Sequence, residues 1–177
     1  MPISVIPFNM PEPADIPSHI VDSLKSMEAD EAVIKSMELL MQIEAANAIV
    51  YERSINNNSN VVGAVGDRSE ELESILRISD RTLTGMAIEH NSPLLIMGQV
   101  ATDDKDTLPN GLTNFLLNGN STGSVGFNYV LPITTKEDKI LATLTLFRIA
   151  NEGPLNHEQP NLCQAIRNLL SDILDQN

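Results

Sequence analysis

The chain has 177 residues, of which 42% are hydrophobic, and a formal net charge of −13 from 24 acidic and 11 basic residues. This length and apolar content suffice for one domain of ordinary size. The acidic charge argues against nucleic-acid binding and against a polybasic membrane contact, since both need a cationic face, and the single cysteine excludes an intrachain disulfide.

The first 17 residues are predicted to form an extended arm. Proline removes a backbone donor and disfavours helix at the residue before it, and five prolines fall in this segment: Pro2, Pro7, Pro11, Pro13 and Pro17. The N-terminus has no basic region ahead of a continuous apolar run, so it does not resemble a secretory signal, and no apolar run approaches the ~20 residues of a membrane span. We therefore expect a cytoplasmic protein in which residues 18–177 form a single domain.

Apolar residues then recur at helical spacing. Residues 18–27 fit a short helix, and residues 29–46 give a clearer amphipathic pattern. The pattern leaves open whether these segments form one bent helix or two. Residues 48–52 and 61–65 flank an asparagine-rich turn and predict a β-hairpin.

Two short helices over residues 69–77 and 81–90 and a strand over residues 94–98 come next. Residues 100–124 show no periodicity beyond one or two helical turns near Leu112, and we expect this long loop to be the most mobile internal segment. Residues 125–148 then contain the clearest hairpin. Its second strand is apolar on both faces, which is typical of a central strand.

The last helix has the best start signal in the chain. Asn156 is placed to cap it, Gln159 follows three residues later, and Pro160 falls in the first turn, where no amide bond is lost. Its seven apolar positions between Leu162 and Leu174 form a wide stripe. We expect part of this stripe, and part of the similar stripe on the 29–46 helix, to stay exposed and to form the interface of a two-fold homodimer. The alternative is a monomer in which the 18–27 helix folds back over the uncovered apolar residues.

Three segments carry a resemblance to the GAF domain family of small-molecule sensors. Thr82–Ile96 is similar to the helix-to-strand segment of that family. Val130–Ile133, followed by Ile140–Leu146, resembles its strand pair, and Asn151–Gln159 resembles the segment that leads into its last helix. The motifs are individually loose, and their order and spacing carry the resemblance.

The resemblance implies an α+β fold of the profilin-like, PAS-related kind. The terminal helices would cover one face of an antiparallel sheet, and the short helices and the 100–124 loop would cover the other. It also implies a ligand pocket under that second layer, with three side chains that supply hydrogen bonds and four that supply apolar walls. The predicted lining residues are Met86, Met97, Gln99, Asn114, Phe115, Phe127 and Tyr129.

Other chemical features indicate structure more than catalysis. Cys163 lies in the last helix, away from the mid-domain cysteine that carries the chromophore in bilin-binding relatives. His90 follows Glu89 at a helix C-terminus, where histidine interacts well with the helix dipole. The Asp103–Asp106 cluster lacks the spacing of a calcium loop. No Asn-Lys-X-Phe-Asp string of the cyclic-nucleotide GAF domains occurs.

The sequence therefore predicts a non-catalytic GAF-like sensor or regulatory domain. It would bind a small molecule, of a kind that the sequence does not specify, and signal through its terminal helices. The alternative is a degenerate GAF-like module with a filled pocket that acts in dimerisation or as an adaptor. No nucleophile–base pair or metal-ligand set supports an enzyme.

Overall fold

The computed structural model describes residues 3–56, 58–99, 108–118, 123–149 and 152–176. Within these ranges the chain forms six strands and six helices, which occur in the following order: β1 (Ser4–Pro7), α1 (Ser18–Lys25), α2 (Ala29–Gln42), β2 (Ala48–Ile55), β3 (Asn58–Gly66), α3 (Ser69–Ile78), α4 (Leu83–His90), β4 (Leu94–Met97), α5 (Leu112–Asn118), β5 (Phe127–Thr134), β6 (Ile140–Arg148) and α6 (Gln159–Asp175). Both predicted hairpins are present, and α1 and α2 are separate helices.

The strands form one antiparallel sheet in the order β1-β4-β5-β6-β2-β3. The predicted central strand, β6, lies between β5 and β2. The extended arm contains a strand that the sequence analysis did not predict, because β1 pairs with the edge of β4 from Ser4↔Met97 to Pro7↔Leu94. The backbone amide of Phe8 extends this contact by donating to the Pro93 carbonyl at 2.8 Å.

Helices α1, α2 and α6 cover the first face of the sheet. Alternate strand residues such as Ile49, Tyr51 and Leu144 point into this layer and pack with Met37 and Leu170. Burial of these apolar surfaces stabilises the terminal helices on the sheet. The predicted placement of the first and last helices on one face is confirmed.

The second face is covered by α3, α4 and α5. Val50, Leu94 and Val130 point toward this layer, one residue out of phase with their neighbours on the first face, and pack with Leu83 and Phe115. Since both faces of the sheet are covered, the sequences of β2 and β6 are nearly continuous apolar runs. The predicted layer of short helices is confirmed. The Asp103–Asp106 cluster and about half of the predicted mobile loop lie outside the described residues.

The expected exposure of the α6 stripe is wrong for six of its seven apolar residues, and the seventh, Leu162, is half-buried. Leu170 is 0% exposed and Leu174 is 3% exposed, because the sheet, α1 and α2 cover them within one copy of the chain. Helix α1 closes the gap through the buried Leu24, which is the alternative arrangement that the sequence allowed. No helix among the described residues is long and apolar enough to cross a membrane.

Candidate ligand-binding face

The structure divides the seven predicted pocket residues between two layers. Met86 and Phe115 are buried together on the second face of the sheet. Phe127 and Tyr129 belong to the first face, where the Tyr129 ring packs edge-on against Phe8 and its hydroxyl accepts from the Leu155 amide at 3.0 Å. These four side chains therefore do not surround one cavity.

The other three predicted residues lie toward the end of β4 and on the outside of α5. Met97 is half-buried at the last position of β4 and pairs with Ser4. Gln99 is exposed and forms an isolated bridge with Ser124, and Asn114 is exposed on α5. Their positions border residues 100–107 and 119–122, which are outside the described ranges.

A row of buried polar side chains on the second face was not predicted. Glu52 of β2 is 1% exposed, and its Oε1 accepts hydrogen bonds from the Thr84 amide at 2.8 Å and the Thr84 hydroxyl at 2.7 Å. The Thr84 hydroxyl lies 2.9 Å from that of Thr143 on β6. Because Thr84 is in the first turn of α4, these hydrogen bonds to the Glu52 carboxyl group link the N-terminal end of that helix to the sheet.

Burial raises the pKa of Glu52 above its ordinary value of 4.5. Hydrogen bonds from Thr84 and from the Leu83 amide oppose this shift, because they stabilise the ionised carboxylate. The second carboxyl oxygen, Oε2, has no hydrogen-bond partner among the described residues. Glu52 therefore brings an incompletely satisfied acid into an otherwise apolar layer.

Two further side chains on this face have buried oxygen atoms without partners in the described part of the chain. They are the hydroxyl of Thr145 and the Oδ1 of Asn128. The Nδ2 of Asn128 donates to the carbonyls of Ile96 and Val125 at 3.2 and 2.9 Å, which leaves Oδ1 as an acceptor. Buried polar atoms in native proteins are normally satisfied by protein, water or ligand, so this row marks a candidate polar site.

Arg68 attaches α5 to the rest of this layer. It adopts a left-handed conformation (φ 55°) just before α3, and its guanidinium contacts both carboxyl oxygens of Glu71 at 3.0 Å. The same guanidinium donates to the Phe115 carbonyl at 2.9 Å and lies 4.1 Å from the centre of the Phe115 ring. The Phe115 ring in turn meets Phe147 of β6 edge-on at 6.5 Å.

The cysteine and histidine residues do not contribute to this face. Cys163 is buried among the first-face residues, and burial raises its thiol pKa to about 12, so it is a poor nucleophile. His90 ends α4 at the surface, and His157 is exposed before α6. No cluster of three or more potential metal ligands occurs among the described residues.

Valine substitutions at two buried threonines compare the stability contribution of a hydrogen-bonded hydroxyl, that of Thr84, with that of an unpartnered one, that of Thr145. We expect Thr84→Val to lower the free energy of unfolding by ~1–3 kcal/mol, because the buried Glu52 carboxyl loses a hydrogen bond. Thr145→Val replaces a hydroxyl that has no partner among the described residues, so it is expected to leave stability unchanged or to raise it. Urea denaturation measures both variants, and equal losses would contradict a special role for Thr84.

Comparisons with known proteins place this architecture among GAF domains. No protein-family model matches the chain, and no curated protein matches it in sequence. Among solved structures, the GAF domain of an Acinetobacter phosphoenolpyruvate-protein phosphotransferase superposes with a TM-score of 0.61 at 9% identity, over 90% of each chain. A GAF domain/HD domain protein from Geobacter sulfurreducens gives 0.57 at 14% identity, over 87% of this chain and 93% of the other.

A far-red cyanobacteriochrome photoreceptor also superposes, with a TM-score of 0.54 at 15% identity, over 90% of this chain and 93% of the other. The chain therefore has a GAF-like fold, as its sequence motifs predicted. Identities this low establish the fold and do not transfer a ligand, so the candidate site has to be argued from this chain's own residues.

Proposed function

We propose that the second face binds a small molecule and that the domain acts as a non-catalytic sensor or regulatory module. The observation that supports this proposal most directly is the row of buried oxygens on Glu52, Thr145 and Asn128, which have no partners in the described part of the chain. A polar ligand that donates hydrogen bonds would satisfy these acceptors. The far-red cyanobacteriochrome photoreceptor, which has a similar fold, is consistent with such a role.

Met86 and Phe115 are the predicted pocket residues that this proposal retains as apolar walls. Both are almost fully buried under the layer of short helices. A methionine side chain adapts its shape to a ligand at little cost, and Phe115 belongs to the helix that Arg68 holds in place. Release of α5 would therefore open this layer and remove the contact between Phe115 and Phe147 of β6.

The terminal helices are connected to this face through consecutive residues of β6. Phe147 contacts Phe115 on the second face, and Arg148 points to the opposite side. The 3% exposed Arg148 donates to the carbonyls of Glu44 and Ala45, after α2, and to that of Gly153, before α6, at 2.7–2.9 Å. A shift of β6 would thus move the ends of both terminal helices, which supports signalling through them.

Native mass spectrometry of the purified protein tests the ligand proposal. We expect an additional mass that is lost on denaturation, and a lower occupancy of that mass in Thr145→Val, whose fold should be preserved. A Thr113→Val variant on α5 serves as a control for the threonine-to-valine change. An adduct-free wild-type protein that also shows no thermal stabilisation in a metabolite screen would instead favour the adaptor alternative.

The adaptor alternative is supported by a separate apolar cleft of about 230 Å³ at the terminal helices. It lies between the segment before α1 and helices α1, α2 and α6, and its lining is almost entirely apolar: Ile16, Pro17, Ile20, Leu24, Leu39, Gln42, Ile43, Leu162 and Ile166. We propose this cleft, which includes only the start of the α6 stripe at Leu162 and Ile166, as the surface through which a homodimer would form.

A further inference from the structure

A second cleft, of about 230 Å³, lies where β5 extends past β4. The two strands pair only as far as Leu94↔Val130, so the last residues of β5 have an open edge on that side. The cleft is bounded by the turn before β4, the end of β5, the β5–β6 turn and α6, and its lining residues are Asn91, Ser92, Pro93, Pro132, Thr134, Asp138, Ile140 and Arg167. None of them belongs to the polar row under α4.

Helix α6 covers the carbonyls of this open edge with side chains. Arg167 donates through Nε and Nη2 to the Pro132 carbonyl at 2.9 and 2.7 Å, and the Ser171 hydroxyl donates to the Thr134 carbonyl. Pro132 itself has no amide hydrogen. The edge is therefore closed to an added strand, which argues against an extended peptide as the occupant of the cleft.

The guanidinium of Arg167 has more donors than the protein uses. Its Nη1 donates to Gln164 Oε1 at 2.7 Å, so three of its five N–H groups have partners, and the described residues supply none for the other two. No carboxylate of the described residues lies within ion-pair distance of it. Burial lowers the pKa of Arg167, which is consistent with a desolvated cation that lacks a counter-ion.

We propose that this cleft binds a small aliphatic carboxylate whose acid group pairs with the free N–H groups of Arg167. A guanidinium fork matches a carboxylate bidentately, and Pro93, Pro132 and Ile140 provide apolar walls for a short hydrocarbon body. The cleft is smaller than the 300–1,000 Å³ typical of drug-sized ligands, so a metabolite of a few carbons fits its scale.

The charge around the cleft selects against multiply charged anions. Asp138 lines the same cleft, and the whole chain carries a net charge of −13, so a phosphate dianion would be repelled more strongly than a monocarboxylate. Asp138 also offers a partner for an ammonium group. The carboxylate ligand is therefore either a simple acid or an amino acid, and these two differ in their response to Asp138.

Titration of the full chain with L-valine and with isovalerate tests the proposal. Isovalerate has the same carbon skeleton and carboxylate but lacks the amino group. We expect at least one of them to shift the backbone NMR signals of Asn91, Ser92 and Thr134 at millimolar concentration, and Arg167→Gln to weaken that binding roughly tenfold or more. Valinamide, which lacks the carboxylate, and inorganic phosphate should not bind.

Asp138→Asn provides a second variant for the binding test, which can be used even if Arg167→Gln fails to fold. Asp138 is exposed and has a left-handed conformation (φ 65°) that asparagine also tolerates, so this variant should fold normally. The variant should bind isovalerate more tightly, because a negative charge near the ligand carboxylate is removed. It should bind valine more weakly, because the valine ammonium group loses the Asp138 carboxylate as a partner. If neither probe binds the wild-type protein, or binding is insensitive to both substitutions, the proposal is wrong. Thr145→Val should not affect this site, which separates it from the proposed sensor face.

Discussion

Leu170→Asp is expected to unfold the domain. Leu170 is 0% exposed, in the layer between α6 and the sheet, and an aspartate there would place a carboxylate among buried apolar side chains. The expected cost exceeds ~4–5 kcal/mol, which is a large part of the ~5–15 kcal/mol by which domains are usually stable. Leu170→Ala, which only creates a cavity, should cost ~2–5 kcal/mol.

Circular dichroism and urea denaturation measure this effect, and Ile43→Lys provides a charged control. Ile43 is half-buried at the C-terminal end of α2, where a lysine can extend its ammonium group into water. We expect Ile43→Lys to remain folded. A folded Leu170→Asp protein of wild-type stability would contradict the position of Leu170 in the core.

This expectation changes how the homodimer should be tested. A charge on the α6 stripe would abolish the fold whether or not a dimer forms, so loss of an oligomer in Leu170→Asp would prove nothing about an interface. Ile43 lines the apolar cleft at the terminal helices, so Ile43→Lys would disrupt an interface at that cleft and leave the core intact. Light scattering of this variant is the informative experiment.

The element pattern could be predicted because its signals are local. Apolar spacing along α2 and α6 identified both helices, and the two-faced apolar run of β6 identified a central strand. The extent of burial on α6 could not be predicted in the same way. It depends on α1 packing over the gap, which is a contact between segments more than a hundred residues apart.

Strand β1 was missed for a related reason. Its four residues lie among prolines and have no alternating pattern, and their extended conformation is stabilised by pairing with β4, some ninety residues later in the chain. Local propensity identified an extended segment, but register and partner depend on tertiary structure.

The candidate site was predicted only in part, because the prediction did not consider which strand residues share a face of the sheet. Phe127 and Tyr129 were selected for their side chains, yet residues two apart share a face, and their face is that of the terminal helices. The residues of β5 that face the short helices are Asn128 and Val130. Glu52 gave a usable signal, since it is a charged residue at the end of the run Ala48–Tyr51, which is buried on both faces.

The pH dependence of stability provides a direct measure of how Glu52 is buried. Because burial raises its pKa in the folded protein above the ordinary value of 4.5, the folded state retains a proton that the unfolded state has already released. In that interval the folded state binds more protons, so the contribution of Glu52 to stability is greatest at low pH and falls as the pH rises from 4.5 toward the folded pKa. The slope approaches about 1.4 kcal/mol per pH unit for a single group.

We therefore expect Glu52→Gln to lose this decline. Glutamine keeps the shape of the side chain and an oxygen that can accept from Thr84, but it cannot ionise. Urea denaturation at intervals between pH 4.5 and 8 should show the stability of the wild-type protein falling relative to that of the variant as the pH rises. The exposed Glu71→Gln serves as the matched control, because its carboxylate is accessible to water and contacts Arg68 at the surface. A constant difference between wild type and Glu52→Gln across this range would mean that Glu52 has an ordinary pKa in the folded protein, and that water or a basic group compensates its burial beneath α4.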